Sequence, residues 1–451
     1  MADSETFIDI NEIMHNQPVI NVGMIGHVTN GKSTIVKGLT DKTTQQFSKE
    51  KERNITICLG YANAKIWRCN MCKSPQNFSA SDSTVMLKRC NMCGSNLDLV
   101  IHISFVDCPG HNELTTTMLN GSSVMDYAVL VEACDSQVVP SPQTAEHFVA
   151  TRLSNIPTCM VIMNKIDLVK KEEAKKQINS ISEYIKKMYE PGFEKLTPII
   201  PVSATLGINF DVICQCLSQL VVLDSRNRNA HLLMIVIRSF DVNKPGIDVS
   251  KLKGGVIGGT IKQGTLKVKD KILIYPGMVK KIPDSDKKDQ GADFYYKPIK
   301  SDVLSIKSET NNLNFAIPGG LLGIQLTVDP AFTRSNYLSG SIVIKDTDTD
   351  TKLKVYDKII IEIKKFLYSY EKANKLLKKK QELMINVNSN NIDCVVYKYN
   401  KSKQELYLTL LQPVVIDSLN NSVIVINKNT CSDIIGCGAI IDGIECELFS
   451  I

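Results

Sequence analysis

Gly26-His27-Val28-Thr29-Asn30-Gly31-Lys32-Ser33-Thr34 decides how the chain is read. Its spacing is G-x-x-x-x-G-K-[ST]. An apolar run from Pro18 to Ile25 precedes it, and Lys32 to Leu39 has the apolar spacing of a helix start. Strand, glycine loop and helix N-terminus in that order aim consecutive backbone N–H groups at one anion. The glycines let the backbone wrap a phosphate, Lys32 meets the β/γ-phosphates as a point charge, and Ser33 offers its hydroxyl to Mg²⁺. Thr29, Asn30, Gly31 and Thr34 complete the predicted cradle.

Three further motifs follow, each at a predicted strand end. In Val106-Asp107-Cys108-Pro109-Gly110-His111, Asp107 is placed to hold Mg²⁺ and Gly110 to give an N–H to the γ-phosphate. His111 then stands where the attacking water is positioned and is read as catalytic; a structural hydrogen-bonding histidine is the alternative. In Asn164-Lys165-Ile166-Asp167, the Asp167 carboxylate can accept from guanine N1–H and its 2-amino group together. Asn164 holds the loop and the purine N7, and the Lys165 stem lies across the ring. Ser203-Ala204-Thr205 can present a backbone N–H to guanine O6. These four motifs in this order predict a GTPase. Glu52-Arg53-Asn54-Ile55-Thr56 supplies a third Mg²⁺ ligand, Thr56, only while the γ-phosphate is present, so this segment orders with triphosphate. A plain strand threonine is the alternative, because Ile57 to Tyr61 looks extended.

Cys69-x-x-Cys72 and Cys90-x-x-Cys93 have the spacing of a four-thiolate Zn²⁺ site. Four sulfurs leave no position for water, so the predicted role is structural; redox pairing is the alternative. Gly94 suits a knuckle turn. The knuckle also accounts for the long gap between Lys32 and Asp107.

At 451 residues the chain has room for about three domains. Its 14 cysteines do not form a secreted disulfide pattern in a chain of this size, and the ten outside the knuckle read as reduced thiols. No apolar run approaches the roughly 18 residues of a membrane span. The first residues are polar and acidic rather than signal-like, so a cytoplasmic protein without membrane attachment is predicted. A net charge of +6 is compatible with RNA contact without arguing for it. The expected organisation is a loose leader (1–17), an α/β domain with a mostly parallel sheet (18–222, knuckle 66–97), a polar linker (223–230), and β-barrels at 231–334 and 335–451. Lys364–Lys380 reads as a helix or an exposed loop.

Several stretches resemble the gamma subunit of eukaryotic and archaeal translation initiation factor 2. They are Glu52 to Ile57, Leu59 to Lys65, Phe105 to His111, Pro142-Gln143-Thr144-x-Glu146-His147, Ile237 to Gly246, Leu252 to Val256 and Val328-Asp329-Pro330. The match is dense over about residues 18–340 and diffuse afterwards. The resemblance implies a P-loop GTPase domain with a zinc-knuckle insertion, followed by two β-barrels. It implies GTP/GDP, Mg²⁺ and structural Zn²⁺ as bound groups. The implied partners are alpha and beta subunits, methionylated initiator tRNA, the small ribosomal subunit, and activating and exchange factors. Tyr61 matches a tyrosine near the pocket for the tRNA acceptor end, and Val28 and Ile55 match an apolar pair that gates His111 from the γ-phosphate. The chain departs from the family at Asn30, where histidine is usual, in the linker around Arg226, and at Val425 to Ile435, which keeps only Lys428 of a usually basic stretch. An elongation-type factor, including the selenocysteine-specific kind, and a non-hydrolysing GTP-dependent scaffold are the rival readings. The knuckle and Arg53-Asn54-Ile55-Thr56 disfavour the first.

Overall fold

In the computed structural model, residues 13–44, 56, 58–111, 114–188, 197–221, 226–244, 246–283, 291–348, 353–367, 375–417, 422–428 and 434–449 are described. Seven strands form the first sheet: β1 (Ile20–Ile25), β2 (Gly60–Arg68), β3 (Phe78–Asp82), β4 (Asp98–Asp107), β5 (Tyr127–Ala133), β6 (Thr158–Asn164) and β7 (Ile199–Pro201), in the order β3-β2-β4-β1-β5-β6-β7. β1 is buried at every position, as a central parallel strand covered on both faces must be. The covering helices are α1 (Lys32–Thr40), α2 (Thr115–Ser122), α3 (Pro142–Leu153), α4 (Lys171–Met188) and α5 (Phe210–Leu217).

From β4 across to β7 all pairings are parallel, so these strands end on one edge. Met24 pairs with Asp107, Ala133 with Asn164, and Met163 with Pro201. The four motif loops therefore leave the sheet side by side, at the carboxyl ends of the strands where open α/β sheets bind ligands.

β2 runs antiparallel to β4 and carries the cysteine insertion, which β3 pairs against. β3 (Phe-Ser-Ala-Ser-Asp) lacks a sustained apolar alternation, and its sequence did not predict a strand. Trp67, Cys69, Cys90 and Leu97 form a small core beneath the knuckle.

Two closed six-strand barrels follow. The first runs Lys271–Lys281, Ile342–Lys345, Leu233–Phe240, Val256–Gln263, Leu322–Leu326 and Phe294–Ser308, and closes by pairing the last of these with the first. The second runs Lys354–Phe366, Glu405–Ile416, Asn390–Asn400, Glu382–Val387, Ser422–Asn427 and Ile434–Glu445. Closure removes the edge strands that an open sheet would expose.

Four sequence expectations need correction. Ile342–Lys345, assigned to the segment beginning at 335, pairs with Leu233–Phe240 and Lys271–Lys281 and so belongs to the first barrel. The leader is not loose throughout: Ile13 and Met14 are buried in the main core, and Gln17 Nε2 donates to the Ile317 and Gly319 carbonyls at 2.7 and 2.9 Å. The polar linker contains a buried pin, Arg226, which donates to the Val19 carbonyl and pairs with Asp126. Of Lys364–Lys380, Lys364 and Lys365 belong to a strand rather than a helix or loop, residues 375–380 are a short helical turn and loop as expected, and residues 368–374 lie outside the described residues.

Candidate nucleotide-binding site

The loop after β1 is held in shape from below. Gly31 has φ +90°, and a Cβ there would stand 2.2 Å from Asn164 Nδ2, so glycine is required. Lys32 folds back and donates from Nζ to the Gly26 and His27 carbonyls at 2.8 and 2.9 Å. Burial pushes its ammonium below the ordinary lysine range, against the opposing pull of Asp107. A negative ligand entering the loop would offset that desolvation. Asn30 is buried and turns its side chain inward, donating to the Val131 carbonyl at 2.9 Å. Thr29 and Thr34 are exposed at the mouth.

The residues proposed to meet Mg²⁺ come together in part. Ser33 Oγ lies 3.0 Å from Thr56 Oγ1. Two neighbouring ligands on an Mg²⁺ octahedron with bonds of about 2.1 Å lie about 3.0 Å apart, so these hydroxyls fit the ion without rearrangement. Asp107 is buried and accepts from Thr44 Oγ1 at 2.6 Å. The Gly110 carbonyl accepts from Val28 N–H at 3.3 Å. A Cβ at Gly110 would fall 2.4 Å from Val28 N and 2.6 Å from Lys32 Nζ. His111 follows on the exposed surface, its carbonyl accepting from Leu114 N–H at 2.9 Å. Glu52 to Ile55 lie outside the described residues, so half of the anticipated Val28–Ile55 gate is not placed.

On the base side, Asn164 joins three loops. Its Nδ2 donates to the Asn30 carbonyl at 2.8 Å, and its Oδ1 accepts from Ala204 N–H at 3.0 Å. Lys165 sits at φ +63° with Nζ 3.1 Å from Asp135. Asp167 points an exposed carboxylate from the short turn Ile166–Leu168, while Ser203 Oγ and Thr205 Oγ1 are 3.3 Å apart.

Several supporting residues were not predicted to have these roles. Thr144 Oγ1 accepts from His27 N–H at 3.0 Å, and His147 Nδ1 accepts from Gly26 N–H at 3.2 Å. Burial and the nearby Lys32 charge push His147 down to about 3, so it stays a neutral acceptor. Glu132, fully buried, takes hydrogen bonds from Ser136 and Ser141. Thr144 and His147 are three apart on α3 and therefore share a face; that periodicity was the available signal. For Thr44 there was none.

The knuckle fits a metal. The Sγ atoms of Cys69, Cys72, Cys90 and Cys93 all lie within 4.8 Å of one another, with Cys69–Cys93 at 3.5 Å and Cys72–Cys90 at 3.7 Å. A tetrahedral zinc thiolate with bonds of about 2.3 Å separates its sulfurs by about 3.8 Å. Gly94, at φ +74°, donates to the Cys90 carbonyl at 2.9 Å and forms the expected turn.

A second cleft, about 590 Å³, opens between the sheet domain and the first barrel. Tyr61 lines it, with the Arg238 guanidinium 5.2 Å from its ring centre; Arg238 also donates to the Leu59 carbonyl at 2.5 Å. Burial pushes the Tyr61 hydroxyl well above its usual range. Tyr61 pairs with Val106, and its neighbour Gly60 pairs with Asp107. The cleft thus begins one residue from the nucleotide edge.

The model of the elongation factor Tu GTP binding domain matches residues 17–237. With the loops described, this makes the protein a translational GTPase. Over 439 residues the chain is 38% identical to eukaryotic translation initiation factor 2 subunit gamma of Encephalitozoon cuniculi, covering 96% of this chain and 95% of that one. It is 44% identical over 338 residues to eukaryotic translation initiation factor 2 subunit 3 of Drosophila melanogaster (74% of this chain, 68% of that one). The chain belongs to the eukaryotic translation initiation factor 2 gamma-subunit family, and so acts in translation initiation. In fold it is similar to a bacterial selenocysteine-specific elongation factor (TM-score 0.66, 17% identity, 93% of this chain and 58% of that one). The elongation factor SelB of Methanococcus maripaludis, solved with the GTP analogue GppNHp, is comparable (TM-score 0.65, 21% identity, 95% and 80%). Identities this low bear on the fold alone. Among the described residues no helix is long and apolar enough to cross a membrane.

Proposed function

We propose that this chain is the GTP-binding core of a heterotrimeric initiation factor with alpha and beta subunits. In its GTP state it holds methionylated initiator tRNA and delivers it to the small ribosomal subunit in the cytoplasm, and hydrolysis releases it. The observation that carries this reading is the short path between two clefts. Thr56 touches Ser33, Gly60 pairs with Asp107, and Tyr61 already lines the second cleft. A change at the γ-phosphate therefore reaches the cargo pocket through a few residues of one strand.

Lys32 and the loop N–H groups bind the phosphates, and Ser33, Thr56 and Asp107 would hold Mg²⁺, which when bound would neutralise phosphate charge. Asn164, Lys165 and Asp167, with Ser203, Ala204 and Thr205, select guanine. Gly110 senses the γ-phosphate and His111 orients water for in-line attack, with Val28 and Ile55 limiting its approach. The exposed position of His111 accords with slow turnover until an activating protein and the ribosome bring it inward; an exchange factor then restores GTP. Cys69, Cys72, Cys90 and Cys93 hold Zn²⁺ as a structural clamp.

The test is filter retention of charged tRNAs on GTP- and GDP-loaded protein. Initiator tRNA retained only with GTP, and elongator tRNA passing through, is the expected result. Equal retention of both tRNAs, or of either nucleotide form, refutes the reading.

A further inference from the structure

The sheet domain and the two barrels meet around a cavity of about 520 Å³ that shares no residue with the nucleotide or cargo clefts. The strand Val256–Gln263 of the first barrel forms one wall. Ile261 pairs with Met234 and Gln263 with the adjacent Leu233, so Lys262 is the extra residue of a β-bulge. A bulge breaks the ladder and re-aims a side chain. Here it sends Lys262 away from the barrel core that Ile261 joins, and into the cavity. Ser122 at the end of α2 and Asn155 after α3 belong to the sheet-domain wall, and Ser422 comes from the second barrel.

Two cations line the cavity, Arg226 and Lys262, against one carboxylate, Asp126. That carboxylate is already spent: it accepts the Asn21 N–H at 2.7 Å and pairs with Arg226, whose guanidinium also donates to the Val19 carbonyl. Among the described residues no carboxylate forms an ion pair with Lys262. Burial pushes its ammonium below the ordinary lysine range; Asp126 pulls it back, and the Arg226 charge adds to the push. An enclosed cation without a counter-charge is costly, and an anion entering from solution offsets that cost. A cavity of this volume takes a small organic molecule rather than a bare ion. The Arg226 fork, which could grip a carboxylate at two points, is engaged elsewhere. What remains is a point charge, with the amides of Asn155 and Gln263 and the hydroxyl of Ser422 around it. A phosphate monoester, with three acceptor oxygens and a polar body, suits that set.

We propose that Lys262 anchors a binding site for a small phosphorylated metabolite at the junction of the three modules, separate from the guanine-nucleotide and cargo clefts. An occupant touches all three modules, so it raises the melting temperature of the whole chain. The probes are inorganic phosphate, glycerol 3-phosphate and ribose 5-phosphate, titrated by calorimetry into the full chain saturated with GDP and Mg²⁺. Ribose and citrate serve as comparisons. At least one of the two esters should bind saturably and ribose should not. Lys262→Gln should weaken that binding about 10- to 100-fold, the loss of one charge-assisted contact. Ser422→Tyr keeps the charge but fills space from the second barrel, and should weaken it by about tenfold. Melting curves of both variants without ligand check the fold. Three results overturn the proposal: no saturable binding of any phosphate probe up to about 10 mM, tighter binding of citrate than of the esters, or binding that neither substitution weakens. The last would place the ligand in the nucleotide cleft instead.

Discussion

Asn164 and Asn30 lie 134 residues apart in sequence, and one hydrogen bond of 2.8 Å from side chain to carbonyl ties the guanine loop to the phosphate loop. The Asn164 oxygen meanwhile takes the Ala204 N–H. One amide therefore fixes the spacing between the two ends of a bound nucleotide. Removing it leaves the half-buried Ala204 donor and the buried Asn30 acceptor unmatched, the latter at about 1–3 kcal/mol. Asn164→Ala should weaken GDP and GTP alike by tenfold or more in a fluorescent-nucleotide titration, and undiminished affinity for both would count against this bridging role.

Asp167 should set base choice. With Asn in its place the side-chain amide donates where the carboxylate accepted, so Asp167→Asn should lose GTP and gain xanthosine triphosphate. Competition between the two nucleotides measures this. Tight GTP binding in the variant would contradict the assignment.

Gly110 has no space for a side chain, because a Cβ would collide with Val28 N and crowd Lys32 Nζ. Gly110→Ala forces the segment away from the phosphate loop. GDP binding should persist within a fewfold while GTP-dependent retention of initiator tRNA falls by tenfold or more. A variant that still distinguishes GTP from GDP in cargo binding would show that Gly110 does not relay the signal.

Acid should destabilise the protein through its buried histidines. Burial, aided by Lys65 at His102 and Lys32 at His147, pushes both down to about 3. Unfolded histidines titrate near 6.5. Between these values the unfolded chain binds protons that the folded chain refuses, so stability is intact above about pH 6.5 and declines as pH drops toward 3. Each histidine contributes about 1.4 kcal/mol per pH unit inside that window. Urea unfolding between pH 5 and 7 should show the decline, and His102→Gln should reduce its slope by about one histidine's share. An unaltered slope would rule out a buried neutral His102.

Metal analysis should find one zinc per chain. Cys90→Ser should abolish it and expose Trp67, which packs with Cys69 and Cys90 in the small core, shifting its fluorescence to the red. Full zinc retention in this variant would eliminate the four-thiolate site.

The site was legible wherever the chemistry is local. The phosphate loop and the paired cysteines announce themselves because spacing alone carries their geometry, and alternating apolar runs gave the parallel sheet. Partners brought together by the fold were harder to read. Thr44 meets Asp107 across 63 residues, and Thr144 and His147 reach back under the loop by more than a hundred. Arg226 reads as solvent-facing linker until Asp126 is placed beside it. Ile342–Lys345 is recognisably a strand, but four residues do not say which barrel they close.

Glu309, at the tip of the long hairpin of the first barrel, accepts the Asn63 N–H at 2.7 Å and the Lys42 ammonium at 2.5 Å, and takes the Ser83 hydroxyl at 2.7 Å. Lys42 is also paired with Asp82, and it stands just ahead of the segment that Thr56 completes. The chain at Lys42 is therefore anchored by a neighbouring module as well as by its own. A drift in how the two modules sit would tug Lys42 directly, and substitutions at 309 would have to be tolerated by 42, 63 and 83 together.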